Sequence, residues 1–351
     1  MQRAYFLGSA SPDGFSTPFW TEHRNFYGIY LKGGPGTGKS TLMKKIAAAF
    51  PEEPVSLYHC ASDPHSLDAV VLEHRGVFVA DATAPHEAGT PLPLVTGELL
   101  DLGALLDRGA VAAHSEHARK LHAQNQAAHA QARRGLTGLG AMEDTAAAAG
   151  CSALLCEKLT GYAARLAKRL FGRQSGSTGT VLHRQCSALT PQGRLTYLPE
   201  GCDVLLLADP YRAASQTLLT LLADHAARLG FCAEITRSSS QSGRPVTHLI
   251  LPALQLALIA SADGKEPETE GHITVIRMQR FYDAQKLREQ RSLVRFCNQT
   301  AALLENKTAG ILAEALALHD ALEQCYIAAL DRPALNSTAA QLCARLRSAL
   351  P

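Results

Sequence analysis

Residues 28–49 read GIYLKGGPGTGKSTLMKKIAAA, and the spacing Gly33-x-x-x-x-Gly38-Lys39-Ser40 has the chemistry of a phosphate cradle. Glycines at 33, 34, 36 and 38 let the backbone curl with its N–H groups turned inward at anionic oxygens. A side chain there would crowd the anion or demand a forbidden φ. The expected nucleotide-binding residues are Gly33, Gly34, Pro35, Gly36, Thr37, Gly38, Lys39, Ser40 and Thr41. Lys39 is expected to act as the catalytic cation on the β- and γ-phosphates, Ser40 to ligate Mg²⁺, and Thr41 to help hold the α-phosphate.

The surroundings agree with that chemistry. Ile29–Leu31 is a short strand, and Leu42, Met43, Ile46 and Ala47 recur at helical spacing after the loop. The helix N-terminus then adds partial positive charge. A chance glycine-rich turn would lack this strand–loop–helix context.

A second Mg²⁺ anchor is usually an Asp at the end of a buried strand. Gly76-Val77-Phe78-Val79-Ala80-Asp81 supplies one in Asp81, against the alternative of an Asp capping the next turn. Ala82 follows, so the Asp-Glu pair that polarises water in many ATPases is missing and a base must come from elsewhere. Val55–His65 resembles a strand leading into a polar turn, where His59 and Asp63 are candidates to position water. The plainer reading is that Asp63-Pro64 only makes a turn. His59, Cys60, Asp63 and His65 are too close together for a standard zinc spacing.

The elements that must carry these residues occur twice. At an offset of 175, Pro35 meets Pro210 and Ser40 meets Ser215, while Gly33, Gly38 and Lys39 meet Ala208, Ala213 and Ala214. YFLGSASPDGF at 5–15 aligns with QCSALTPQGRL at 185–195, VSLYHCASD with CAEITRSSS, and GVFVADATAPHE with LALIASADGKE. The expectation is an α/β chain of duplicated units with one competent nucleotide site. Each unit should be a parallel sheet flanked by helices, because runs such as Val204–Leu207 are continuously apolar. The expected division is 1–175, ending in a helical hairpin, and 180–351, with a helical tail. A flexible Gly/Ser linker is expected at 172–179.

In the helical part at 98–172, Gly135 and Gly138–Gly140 suggest a hairpin break, and 281–330 suggests a matching pair around Gly310. The stripe Leu287, Val294 (near Leu293), Leu303–Leu304 is expected in the core. His114, His117, His122 and His129 are expected as surface or packing histidines, and the nine Lys/Arg against four Asp/Glu in 111–180 as a solvated face.

The 351 residues leave room for about two domains at roughly 150 residues each. Hydrophobic residues at 46% and charged residues at 19% supply a packed core. A net charge of +2, from 34 basic and 32 acidic residues, disfavours a nucleic-acid partner. The longest apolar run, Leu249–Ala260, is interrupted by Pro252 and Gln255 and is shorter than the about 20 residues a membrane span needs. Nine scattered cysteines without Cys-x-x-Cys, and an N-terminus without a long apolar stretch, give the expectation of a cytoplasmic protein with reduced thiols.

The chain resembles a bacterial family of tandem P-loop ATPase-like proteins. The resemblance rests on the opening Gly8-Ser9-Ala10-Ser11-Pro12-Asp13-Gly14, LKGGPGTGKSTLMKKI at 31–46, HCASDPHSLDAVV at 59–71 and VADATAPHE at 79–87. In the second half it rests on LTPQG at 189–193 and LALHDALEQCYIAALD at 316–331. It covers nearly the whole chain, and its first half is the more specific. The resemblance implies ATP or GTP binding and a kinase- or ATPase-like fold, and carries over His59, Asp63, Asp81 and His86 as motif positions without settled roles. The family's second repeat usually has an intact loop, from which Ala208, Ala213 and Ala214 depart.

The leading functional expectation is a Mg²⁺-dependent nucleoside triphosphatase, with ATP favoured because no base-reading Asn-Lys-x-Asp is present. Arg212 or Arg237 could serve as an arginine finger if the halves pack face to face. One alternative is a small-molecule kinase with Asp63 as acceptor base. Another is a nucleotide-gated interaction module with little turnover. A helicase is a weaker reading, since the Asp-Glu pair is missing. The expected partners are a nucleotide and an unidentified substrate or protein, without a membrane; a homo-oligomer is left open.

Overall fold

The computed structural model describes residues 2–172 and 178–348. The centre of the expected linker, 173–177, lies outside the described residues. The first half runs β1 (Gln2–Phe6), β2 (Ser9–Ser11), β3 (Gly14–Ser16), α1 (Phe19–Glu22), β4 (Tyr27–Lys32) and α2 (Lys39–Ala49). It continues with β5 (Val55–His59), β6 (Leu67–Leu72), β7 (Val77–Asp81), β8 (Gly97–Asp101), α3 (Arg108–Ala113), α4 (Ser115–Ala153) and α5 (Cys156–Phe171). The second half runs β9 (Val181–His183), β10 (Ser187–Thr190), β11 (Gly193–Thr196), β12 (Asp203–Ala208), α6 (Ala213–Arg228) and β13 (Ala233–Arg237). Then follow β14 (Val246–Leu251), β15 (Leu256–Ser261), β16 (Ile273–Arg277), α7 (Ala284–Ile327) and α8 (Arg332–Arg347).

The two six-stranded sheets have the orders β1-β5-β6-β7-β4-β8 and β9-β13-β14-β15-β12-β16, which is the same order element by element. The hairpins β2–β3 and β10–β11 also correspond. The chain is an internal duplication of one α/β unit.

The sheets are mixed, which corrects the expectation of parallel ones. β6 pairs antiparallel with both β5 and β7, and β14 does so with β13 and β15. Connection length is the reason. Only residues 60–66 join β5 to β6, and one 3₁₀ turn at Glu73–Arg75 plus Gly76 joins β6 to β7. A parallel crossover needs a dozen residues or more. Continuous apolar runs reveal strands buried on both faces, not their direction. β6 is buried throughout although it is antiparallel.

Each sheet is covered by a helix from the other half. α5 of the first half packs into the second core, where Leu159, Ala163, Leu166 and Phe171 meet α6 residues such as Leu218 and Leu222. In return, Leu335, Ala339, Leu342, Cys343 and Leu346 of α8 join Leu42, Met43 and Ile46 of α2 in the first core.

The long helices are unbroken, which corrects the expected breaks at Gly135, Gly138–Gly140 and Gly310. α4 and α7 pack antiparallel along their length, with Asn125 donating to the Ala315 carbonyl at 2.8 Å. A Cβ on Gly135 would lie 2.2 Å from Thr308 Oγ1, and one on Gly140 would lie 2.0 Å from the Ser240 carbonyl oxygen. These glycines cost helix propensity, about 1 kcal/mol each, and in exchange allow close packing. Of the expected apolar stripe, Val294 is buried whereas Leu293 and Leu303 face outward. Among the described residues no helix is long and apolar enough to cross a membrane.

Candidate functional site

β4 ends at Lys32, a six-residue loop follows, and α2 starts at Lys39. The loop holds Gly33, Gly36 and Gly38 at φ of +148°, +71° and +82°, where an L side chain is strained. A Cβ on Gly33 would also meet Thr37 Oγ1 at 2.6 Å. Thr37 is buried and donates its hydroxyl to the Gly34 carbonyl at 2.8 Å, so it braces the loop. Pro35 sits at the half-buried crown and Thr41 is exposed on the first turn of α2.

Lys39 folds back over the loop. Its Nζ donates to the carbonyls of Gly33 and Gly34 at 2.8 and 2.9 Å and lies 3.6 Å from Asp81 Oδ2. Asp81 ends β7, beside Leu31 in the register of β7 against β4. Its Oδ1 accepts the Thr83 amide at 2.8 Å and the Thr83 hydroxyl, leaving Oδ2 toward Lys39. Ser40 Oγ accepts the Leu67 amide at 3.0 Å, which ties α2 to the start of β6.

His59 ends β5, which two strands separate from β4 in the sheet, Asp63 lies in the β5–β6 turn, and both are otherwise engaged. His59 donates through Nδ1 to the Pro64 carbonyl at 2.8 Å and lies against the Tyr197 ring at 4.8 Å, and burial pushes its pKa down. Asp63 accepts the His65 amide at 3.1 Å, in the manner of a turn cap.

Asp68 was not singled out from the sequence. It is the extra residue of a β-bulge, since His59 pairs with Leu67 and Tyr58 with Ala69. Its carboxyl group is buried, and burial raises its pKa. His86 Nε2 lies 3.4 Å from Asp68 Oδ2 without hydrogen-bond alignment, and among the described residues Asp68 Oδ2 and His86 Nδ1 have no hydrogen-bond partner. The readable signal was a carboxylate inside the otherwise apolar strand LDAVVL.

The second half contributes the far wall. The Gly36 amide donates to Glu323 Oε1 of α7 at 3.1 Å, and Tyr326 and Ile327 line Gly34 and Gly36. His319, one helical turn before Glu323, lies 3.5 Å from its carboxylate. That hydrogen bond holds Glu323 below the usual carboxylate range and raises His319. The segment HDALE at 319–323 was visible in the sequence, but nothing local tied it to a loop some 280 residues earlier.

The equivalent place in the second half is filled. Asp209 is buried, and its carboxylate accepts the amides of Ser215 and Tyr211 at 2.8 and 3.2 Å at the start of α6. The Tyr282 hydroxyl donates to both of its oxygens at 2.9 Å. Leu207 pairs with Ala260 as Leu31 pairs with Asp81, so Ala260 stands where Asp81 does, and Thr247 occupies the bulge position of Asp68.

Arg212 belongs to this second loop. Its Nη1 lies 3.4 Å from Glu143 Oε1, and its Nη2 reaches Asn298 of α7 at 3.5 Å. Asn298 and Glu323 are 25 residues apart in α7, about 37 Å of helix. Arg237 donates to the Arg244 carbonyl at 3.1 Å. Neither arginine is engaged with the 33–40 loop. No family model matches the chain, and no curated protein or solved structure matches it either.

Proposed function

We propose that the chain binds one nucleoside triphosphate, ATP by preference, with Mg²⁺ at residues 33–41, and hydrolyses it slowly. The observation that carries this reading is Lys39, held by the Gly33 and Gly34 carbonyls at the N-terminus of α2 and 3.6 Å from Asp81. A buried-side cation, a curl of positively phased glycines and a helix N-terminus form a cradle for phosphate oxygens. Ser40 Oγ and Asp81 Oδ2 are hard oxygen donors on its rim and suit Mg²⁺, which takes oxygen ligands. Bound Mg²⁺ would neutralise charge on the phosphate oxygens.

The chain's own residues would divide the work. The loop amides and Lys39 stabilise phosphate charge. Asp68 with His86 is the acid–base pair we assign, because both are buried, Asp68 follows the residue that donates to Ser40, and each has a polar atom unpaired among the described residues. His59 and Asp63 are left as positioning residues for the β5–β6 turn. The second half has no lysine at 208–215, Ala260 and Thr247 at the places of Asp81 and Asp68, and Asp209 in its anion seat, so one site per chain is expected.

A second reading, the nucleotide-gated interaction module, is favoured by the contact of α7 with the loop through Glu323. Calorimetry with Mg²⁺-ATP on wild type and Lys39→Ala tests the shared premise. One site, lost in the variant, is expected; two equivalent sites, or binding that survives in the variant, would overturn it. Turnover measured with and without added metabolites then separates hydrolase, kinase and module.

A further inference from the structure

The loop amide that faces the anion seat already has a carboxylate on it. Glu323 Oε1 accepts the Gly36 N–H at 3.1 Å, and the Glu323 backbone carbonyl lies where a Cβ on Gly36 would come within 2.8 Å. Ile327 and Tyr326, on the same face of α7, cover Gly36 and Gly34. A charged acceptor in a nest of backbone N–H groups is what such a nest binds. A carboxylate and a phosphate oxygen make the same demand on that N–H, and both cannot occupy it.

We infer that Glu323 is an intramolecular competitor for the phosphate seat, so that nucleotide binding and release of the end of α7 from the loop are one event. This rests on the nucleotide reading of the loop given above. The second half holds the same device in a permanent form. There Asp209 sits in the seat from within its own loop, buried and bonded by Ser215, Tyr211 and Tyr282. Glu323 differs in ways that make it releasable. It arrives from a separate helix, makes one bond to the loop, and its side chain is 35% exposed. Its displaced carboxylate has a receiver in His319, one turn away at 3.5 Å.

Release at this point is a movement of α7, and α7 is packed along α4 and reaches the second loop through Asn298. The consequence is regulation of the site by the helical layer. Whatever loosens the end of α7 raises nucleotide affinity, and nucleotide loosens the end of α7 in return.

The test compares wild type, Glu323→Ala and Glu323→Gln. In nucleotide-free protein, exchange of the Gly36 amide with deuterium should speed up in Glu323→Ala, and Mg²⁺-ATP affinity should rise about tenfold or more if the seat is mostly occupied in wild type. Glu323→Gln keeps the shape of the side chain and removes its charge, so it should also bind tighter, and it serves if the alanine variant fails to fold. Equal affinities in wild type and both variants, with Lys39→Ala still abolishing binding, would overturn the competitor while leaving the nucleotide reading intact. Weaker binding in Glu323→Ala would make Glu323 part of the nucleotide site and would also overturn it. Absence of nucleotide binding in all of them would remove the nucleotide reading and this inference with it, even if the Gly36 amide is protected by Glu323.

Discussion

Leu335 of the last helix packs on Gly38 at the start of α2, its Cδ2 lying 2.5 Å from where a Cβ on Gly38 would sit. The first half therefore depends on α8, nearly 300 residues later, to close its core. Leu335→Ala should cost about 2–5 kcal/mol, the usual range for a buried leucine. The loss should be local to α2 and its loop. Urea denaturation gives the magnitude, and amide exchange along α2 shows whether the first half opens before the second. Exchange that rises equally in α6 would contradict the reciprocal arrangement of α5 and α8.

Asp68 is predicted to matter for turnover and little for nucleotide affinity. Asp68→Asn keeps the volume of a buried side chain and removes its basicity. If Asp68 and His86 form the acid–base pair, turnover should fall by about 10²–10⁴, the usual contribution of such a group, with Mg²⁺-ATP affinity nearly unchanged. Calorimetry and a phosphate-release assay on the same preparation decide this. An unchanged rate would return the role to His59 and Asp63.

Arg212 is predicted to serve stability and not catalysis. Its pairing with Glu143, which also accepts the Ser240 hydroxyl, is largely buried. Arg212→Ala leaves the Glu143 charge without its partner, at a cost of about 3–5 kcal/mol. Turnover per folded molecule should stay as in wild type. A rate that collapses while the melting temperature holds would reinstate an arginine finger.

His23 gives the fold a pH dependence. Its Nδ1 donates to the Phe19 carbonyl at 2.9 Å and its Nε2 accepts from Arg184 Nη1 at 3.0 Å, so the buried ring is held neutral. Burial, reinforced by the Arg184 charge, lowers its pKa from 6.5 to about 4. The folded value lies below the unfolded one. The stability is therefore fully present above pH 6.5, falls as the pH drops, and is lost by about pH 4. That fall corresponds to about 3 kcal/mol. Arg184 also donates to Tyr58 at 2.6 Å, joining the second half to the first, so the junction should loosen in acid. Urea midpoints between pH 7.5 and 4 should decline, and His23→Gln, which keeps an acceptor for Arg184, should flatten the slope. A midpoint independent of pH over that range would contradict the neutral-histidine arrangement.

The loop at 33–40 was legible because its requirements are local. Positive φ at Gly36 and Gly38 and the strand and helix on either side depend on neighbours in the chain. The duplication was legible for the same reason: spacing of local elements survives even where the second loop has lost the lysine of the first. Strand direction at β6 was not, since burial on both faces hides it and only the short turns disclose it. The glycines of α4 were misleading alone, because a partner helix, and not a turn, explains Gly135 and Gly140.

The sequence by itself determined that the chain repeats one α/β unit and that residues 33–38 form a glycine-rich turn between a strand and a helix. Both follow from backbone preferences and apolar spacing within short stretches. The tertiary structure alone decided which groups surround that turn: Asp68 through a β-bulge, Glu323 through the antiparallel pairing of α4 and α7, and Leu335 through the exchange of α8 for α5. Those residues meet the loop through packing between distant segments. Contacts of that kind are set by the shapes of whole cores, and they leave no periodicity in the local sequence.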